Sequence, residues 1–439
     1  MKTHHGTCLL VVAAQAIFCT AQASSQDVPA QASSAATSIP NSTSASAPDE
    51  LALGKALGYP VPAKVTQGYQ EPYKVGSFSA RDSVAEHCTM APAAQPQALP
   101  VASHDTQLSY RFKSQPYTLD DYMHHQRATA VLVLKDGEIV AERYNYDRTP
   151  AMRMLSQSMA KTVVALAIGK AVEAGQIRSL DDTAATYAPA LAGTMIGETR
   201  IISLLRMASG ARYLEDYSTT DDRTRFNATA RKSGLVAAAS TLTERAAPEG
   251  EVFNYSSAQT EILGLVLQGA TGRTLCEYVD QNIWQPMGAE SAASWLLNPA
   301  DHLALAAGGL NATVRDYARL GWMMANDGQI GNHAVVPRDY LLAMTDANRQ
   351  PESFRPGVMQ NKGSTYYGYG LQTWLMPGAQ RRFVLLGVYG QAIYVDPALK
   401  LVMVHTAVGK EATGDASGNH LGAERDALWR GVVAHYGRW

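Results

Sequence analysis

The sequence predicts an α+β fold, an antiparallel sheet flanked by helices with a mostly helical segment inserted between the two halves of the sheet. Three observations carry this prediction. In "ATAVLVLKDGEIVAERYNY" two β-rich runs surround Lys135-Asp136-Gly137, and Asp-Gly between such runs is a strong hairpin signal. A run that is apolar nearly all round, "TVVALAIGKAVEAG", follows and reads as a buried helix with Gly175 placed to end it. Near the C-terminus "RRFVLLGVYGQAIYVDPALKLVMVHTAV" holds two more strands around Asp396-Pro397, and "GAERDALWRGVVAHYGRW" closes the chain as a helix.

Taken in order, residues 1–23 read as a signal peptide. Lys2 and two histidines precede "CLLVVAAQAIFC", and Ala21 and Ala23 form an A-x-A cleavage site before Ser24. About twelve apolar residues are too few to cross a hydrocarbon core that needs roughly twenty. A lipoprotein signal is disfavoured because "AIFC" lacks small residues before the cysteine. The mature chain is therefore expected in the periplasm or secreted after cleavage near Ala23, with no transmembrane segment. Residues 24–50 are Ser/Ala/Thr/Pro-rich and cannot bury enough apolar surface to offset the entropy of ordering, so a flexible leader is expected. Residues 51–105 are expected to wrap the main domain, which spans 106–439.

Within that domain 178–300 read as a largely helical insertion, with "IISLLRMASG", "SGLVAAAST" and "AQTEILGLVLQGATG" as its periodic stretches. "TVRDYARLGWMMANDG" is a further amphipathic helix with Thr313 or Asn311 as candidate caps. The 46 % hydrophobic and 17 % charged residues fit a globular chain, and the net charge of -2 offers no footprint for nucleic acid or an anionic membrane. Cys8 and Cys19 leave with the signal. The remaining Cys88 and Cys276 are expected as two free, buried thiols, although one disulfide is possible in an exported protein.

Three segments carry candidate chemistry. Ser158 and Lys161 lie one helical turn apart at the start of the buried helix. Unpaired N–H groups and the macrodipole there favour negative charge on the serine, and an apolar surround lowers the proton affinity of the lysine. A neutral lysine takes the proton of the serine, the Ser-Lys form of an activated nucleophile. By itself an S-x-x-K is more often an N-cap followed by an ordinary helix lysine. Tyr255, in "FNYSSAQTEILGLVLQ", precedes an apolar helix and is placed to hold its hydroxyl at a cleft edge, where a nearby cation would stabilise its phenolate and let it relay a proton. For any one of 21 tyrosines, packing is the commoner role. In "LLGVYGQAIYVDP", Gly387 and Gly390 interrupt a strand pattern, which marks either a close approach of a ligand or another backbone or a β-bulge. There the N–H of Gln391 is a candidate to join that of Ser158 as an oxyanion hole.

In this order, "SMAK", "YSS" and "YGQ" resemble the serine β-lactamase and penicillin-binding-protein superfamily, and its class C-like branch most, where 6-aminohexanoate-dimer hydrolase and related esterases fall. "LLRMASGARY" and "GGLNATVRDYARLG" are similar to two further segments of that branch, so the likeness runs over roughly residues 66–439. The resemblance implies a β-lactamase-like fold, with Ser158 as acylated nucleophile, Lys161 as its base, Tyr255 as proton relay, and the N–H groups of Ser158 and Gln391 as oxyanion hole. Ser257, Tyr213, Asp216, Tyr217, Tyr389 and Gly390 are candidate substrate contacts, the acidic "YLEDYSTTDD" being equally readable as a solvated loop. Two departures stand out: Ser257 replaces the asparagine of Y-x-N, and no lysine precedes Gly390. Both argue against penicillin recognition.

The expectation is an exported serine hydrolase of small-molecule esters or simple amides, without metal or organic cofactor. No G-x-S-x-G, P-loop or H-E-x-x-H occurs, and the histidines lack a metal-ligand spacing. The alternatives are a peptidoglycan D,D-peptidase or β-lactamase, and a non-catalytic sensor that acylates without turnover. Oligomeric state is not readable from the sequence.

Overall fold

The computed structural model describes residues 46–414 and 416–439; the signal peptide, its cleavage site, Cys8, Cys19 and most of the leader lie outside the described residues. Along the chain the elements that position the site are α1 (Glu71–Ala80), β1 (His87–Met90), β2 (Ala128–Lys135), β3 (Glu138–Tyr144), β4 (Arg153–Leu155) and α2 (Ala160–Glu173). Then come α3 (Ser257–Thr271), β5 (Ala293–Leu296), β6 (Leu310–Thr313) and α4 (Val314–Ala325). The chain ends with β7 (Gly368–Tyr369), β8 (Trp374–Leu375), β9 (Phe383–Gly387), β10 (Gln391–Asp396), β11 (Leu401–Ala407) and α5 (Leu421–Tyr436).

The main sheet is antiparallel in the order β7-β8-β9-β10-β11-β2-β3. Its first hairpin turns where the sequence places it. Asp136 and Gly137 both have positive φ, 53° and 84°, which a two-residue hairpin loop requires and Asp-Gly supplies at low cost. Strand β2 reads as a continuous apolar run because both faces are covered. Ala130, Leu132 and Leu134 join the core that holds α2 and α4, while Val131 and Val133 pack with Leu428, Trp429, Val432 and Val433 of α5.

Helix α2 is the interior rod that its all-round apolarity predicts: eleven of its fourteen residues are buried, among them Val163, Val164, Leu166 and Ile168. Each fully buried side chain of this size contributes about 1.5–3 kcal/mol. The cap of α4 is Thr313, whose hydroxyl accepts from the Asp316 N–H, whereas the Asn311 amide turns to the Gly309 carbonyl.

Three readings need correction. Gly387 and Gly390 do not mark a bulge in one strand; with Val388 and Tyr389 they form the turn between β9 and β10, so the C-terminal region supplies three long strands. The sequence analysis also misses a second sheet, ordered β1-β5-β6-β4, whose edge strand comes from the 51–105 segment and whose β5 closes the helical insertion. Finally, Cys88 and Cys276 are not free thiols but a disulfide. Pairing of β1 with β5 carries Cys88 over the short helix Leu275–Val279, with the two Cα atoms 6.4 Å apart, a spacing suited to a bridge. Among the described residues no helix is long and apolar enough to cross a membrane.

Candidate active site

Strand β4 runs into a 3-10 turn, Gln157–Met159, before α2 begins at Ala160. Gln157 sits at φ 47°, a left-handed conformation that costs a non-glycine residue on the order of 1 kcal/mol and persists only when its surroundings hold it. The clamp comes partly from β9. A Cβ on Gly387 would stand 2.6 Å from the Ser156 carbonyl oxygen and 3.0 Å from the Gln157 Cβ. Only glycine lets the end of β9 pass this close to the turn that presents Ser158.

Lys161, fully buried one turn into α2, reaches three oxygens. Its Nζ lies 2.9 Å from Ser158 Oγ, 3.0 Å from Ser257 Oγ and 2.8 Å from the Ala307 carbonyl oxygen. The Ser257 hydroxyl already donates to Glu215 Oε1 at 2.7 Å, so toward the lysine it is an acceptor, and a carbonyl is only ever an acceptor. A neutral amine has two N–H groups and one lone pair. Ser257 and Ala307 take the two N–H groups, which leaves the lone pair for the Ser158 O–H.

Burial is the main force on this amine. It pulls the Lys161 pKa down to about 8, against the opposing pull of the Glu215 and Glu261 carboxylates. Glu261, on α3 and also buried, accepts the Ala306 and Ala307 N–H groups at 2.9 and 3.1 Å. Desolvation raises its pKa to about 7, opposed by those two N–H donors and by Lys161. The same carboxylate thus fixes the peptide whose carbonyl receives Lys161.

Tyr255 precedes α3, and its ring stacks on Trp374 of β8 at 5.7 Å between centroids. Lys161 Nζ stands 5.3 Å from the Tyr255 ring centroid. Desolvation and then Glu215 push the Tyr255 phenol well above its ordinary range, and a hydrogen bond with Ser158 only partly opposes this. The expected stabilised phenolate is therefore not what the site builds. Tyr255 is held as a neutral hydroxyl beside the serine.

These groups open onto a cleft of about 260 Å³, lined by Ser158, Tyr255, Tyr217, Trp374, the Leu386–Val388 segment and Gly390, among others. Tyr217 lies in the cleft lining, its ring flanked by Arg223 at 5.0 Å and Lys362 at 5.2 Å. Gln391 follows the cleft-lining Gly390 and opens β10, and its side chain bonds Ala407 of β11 at both ends, at 2.8 Å to the carbonyl and 3.1 Å from the N–H. Three other candidates are not brought to the cleft. Tyr213 is buried in the core. Asp216 is exposed and caps a turn through the Ser218 N–H at 2.9 Å. Tyr389 turns away to stack on Tyr69 at 5.5 Å. Ser257 is at the site, but as a partner of Lys161 and Glu215 rather than in the lining.

The sequence analysis misses Glu215, Glu261 and the Ala307 carbonyl. Glu261 carries a legible signal, since an acid amid Ile262, Leu263, Leu265 and Val266 is a charge on a buried face. Glu215 lies inside the acidic run from which Tyr213, Asp216 and Tyr217 are the residues singled out.

Residues 118–426 match the family model described as Beta-lactamase. The 6-aminohexanoate-dimer hydrolase of Paenarthrobacter ureafaciens is 27 % identical over 286 residues, 63 % of this chain and 71 % of that protein. Among solved structures, "Putative 6-aminohexanoate-dimer hydrolase from Bacillus anthracis" superposes with a TM-score of 0.73 at 23 % identity, covering 84 % of this chain and 95 % of the other. EstCE1, a hydrolase with promiscuous acyltransferase activity, gives 0.53 at 15 % identity over 71 % and 96 % of the two chains.

Proposed function

The chain belongs to the beta-lactamase family of serine hydrolases, and from that premise we propose that it is an exported enzyme cleaving ester or simple amide bonds through an acyl-enzyme on Ser158. The observation that carries the reading is the coordination of Lys161. With its two N–H groups taken by Ser257 and Ala307, the amine has its lone pair directed at the serine hydroxyl. Attack by Ser158 Oγ on the carbonyl carbon passes the serine proton to Lys161 and puts negative charge on the carbonyl oxygen. The N–H of Ser158 is one donor to that oxygen. As the second we assign the N–H of Val388, in the cleft-lining turn that follows β9, in place of that of Gln391. Collapse breaks the C–O or C–N bond, the neutral Tyr255 hydroxyl hands a proton to the leaving alcohol or amine, and water then releases the acid by the same route.

Penicillins fit this site poorly. Ser257 has no amide, and both its hydrogen-bonding roles are already spent on Lys161 and Glu215; β9 bears no cation. The Cys88–Cys276 bridge supports export, because disulfides persist in oxidising compartments. Mature protein from a secreting host should begin near Ser24 by N-terminal sequencing. A fluorophosphonate probe should label the wild type and not Ser158→Ala, and short-chain p-nitrophenyl esters should turn over. Labelling without turnover indicates a sensor, and rapid nitrocefin hydrolysis indicates a β-lactamase.

A further inference from the structure

Among the described residues only two lysines are buried, Lys161 and Lys74. Lys161 is at the site; Lys74 stands on α1, before the residues that the family model matches, and the hydrolytic steps make no use of it. A buried ammonium needs a partner for each of its three N–H groups. Lys74 Nζ finds Glu71 Oε1 at 2.7 Å, the Gly409 carbonyl at 3.0 Å and, more weakly, the Lys410 carbonyl at 3.4 Å. Two of its three partners are thus main-chain oxygens 335 and 336 positions further along the chain.

That distant segment holds the turn that follows β9. Tyr389, within the turn, has φ 62°, a left-handed conformation that a non-glycine residue keeps only where its surroundings impose it. Its N–H donates to the Ala412 carbonyl at 2.9 Å, and its own carbonyl accepts the Gly409 N–H at 3.0 Å. Val388 and Gly390, on either side of Tyr389, line the cleft. The side chain is held from the same quarter as the backbone. Its ring packs on Tyr69 and Phe78, each at 5.5 Å between centroids, and Lys74 Nζ stands 5.1 Å from its centre. Tyr69 also receives the Gln157 side-chain amide at 3.4 Å. One segment therefore touches both left-handed residues that border the site, Gln157 before Ser158 and Tyr389 after Val388.

We propose that Lys74 is a positioning residue for the oxyanion site. By fixing the Gly409 and Lys410 carbonyls it fixes the segment that pins Tyr389, and through Tyr389 it sets the turn whose Val388 N–H meets the developing negative charge. The proposal rests on the hydrolase reading and its choice of oxyanion donors. Lys74 itself touches neither substrate nor reacting atoms.

An oxyanion exists only along the reaction path, so a displaced donor lowers kcat and leaves substrate binding nearly unchanged. Lys74→Met keeps the stem beside Tyr389 and removes the three N–H groups. Active sites are counted by complete fluorophosphonate labelling of Ser158, and turnover of p-nitrophenyl butyrate is expressed per labelled site. In Lys74→Met kcat per site should fall about tenfold or more while KM changes less than about threefold. The limb of the pH profile governed by Lys161 should keep its wild-type position, because the partners of that amine are untouched. Lys74→Gln, whose amide is too short to reach both carbonyls, should show the same split and serves if the methionine variant does not fold. A variant that melts earlier and labels fewer sites, yet turns over each labelled site at the wild-type rate, overturns the proposal and leaves Lys74 a support of the fold. A loss carried by KM, or a shifted pH limb, overturns it as well, since the influence would then fall on substrate binding or on Lys161. Failure of the hydrolase reading looks different: the wild type itself neither labels at Ser158 nor turns over the ester.

Discussion

At the scale of single residues, the amine proposed as the base is tuned by opposing influences, and the balance is measurable. Lys161 is buried deeply enough to fall to about 8, while Glu215 and Glu261 keep it from falling further. In the proposed mechanism the neutral amine is the active form, so kcat/KM should climb as pH rises and level off above about 8. In Glu215→Gln the largest opposing charge is gone, so this limb should shift toward acid by up to about one pH unit, measured on a neutral p-nitrophenyl ester. A limb that stays in place would mean that another group controls the rate. That Ser158, Lys161 and Tyr255 are candidates for one site was legible in the sequence because each sits in a short motif whose spacing is itself the signal, and the structure brings the three together. Glu215, Glu261 and the Ala307 carbonyl were harder to read, since they reach Lys161 from loops and helices 54 to 146 positions away, where local periodicity says nothing about contact.

At the scale of elements, the hairpin of β2 and β3, the buried α2, the capped α4 and the closing α5 were all legible, since turn chemistry, apolar period and cap lie within each segment. The β9–β10 turn was misread because two glycines in an apolar run fit a bulge as well as a turn; the choice depends on β10 finding its place between β9 and β11. The close pass of β9 is testable through Gly387→Ala. Its added methyl meets the Ser156 carbonyl at 2.6 Å, so the strand must back away from the Ser158 turn. The variant should lose about 1–3 kcal/mol in denaturant melts and label with fluorophosphonate at least about tenfold more slowly. Beneath the same turn, His405 of β11 donates from Nδ1 to the Gly390 carbonyl at 2.6 Å and accepts the Tyr122 hydroxyl on Nε2 at 2.9 Å. Burial, with Arg425 nearby, lowers its pKa to about 3. The unfolded chain therefore binds a proton below about 6.5 that the folded chain refuses until about 3. Stability from this group is unaffected above 6.5 and drains as pH falls through that window, by up to roughly 5 kcal/mol. In His405→Gln, where Nε2–H can still reach Gly390, the slope of stability against pH between 6 and 4 should flatten, whatever the absolute stability of the variant.

At the scale of the whole molecule, the second sheet shows why some structure stays hidden from sequence reading. Strand β1 is four residues with alternating exposure, and it becomes a strand only because β5, more than two hundred residues later, offers it an edge. The free-thiol expectation failed for the same reason, since nothing near Cys88 announces Cys276. The bridge closes a loop of 188 residues, so it restricts the unfolded chain strongly, and it ties the 51–105 segment to the helical insertion. That segment also reaches the site: Tyr69 receives the Gln157 side-chain amide at 3.4 Å and stacks on Tyr389. Cys88→Ala with Cys276→Ala should cost about 2–5 kcal/mol of unfolding free energy. If β1 is what holds the segment down, proteolysis of this variant under native conditions should begin between residues 51 and 105, and the labelling rate of Ser158 should fall before the main sheet melts. Loss of labelling only in step with global unfolding would show that α1 and its aromatic contacts anchor the segment without the bridge.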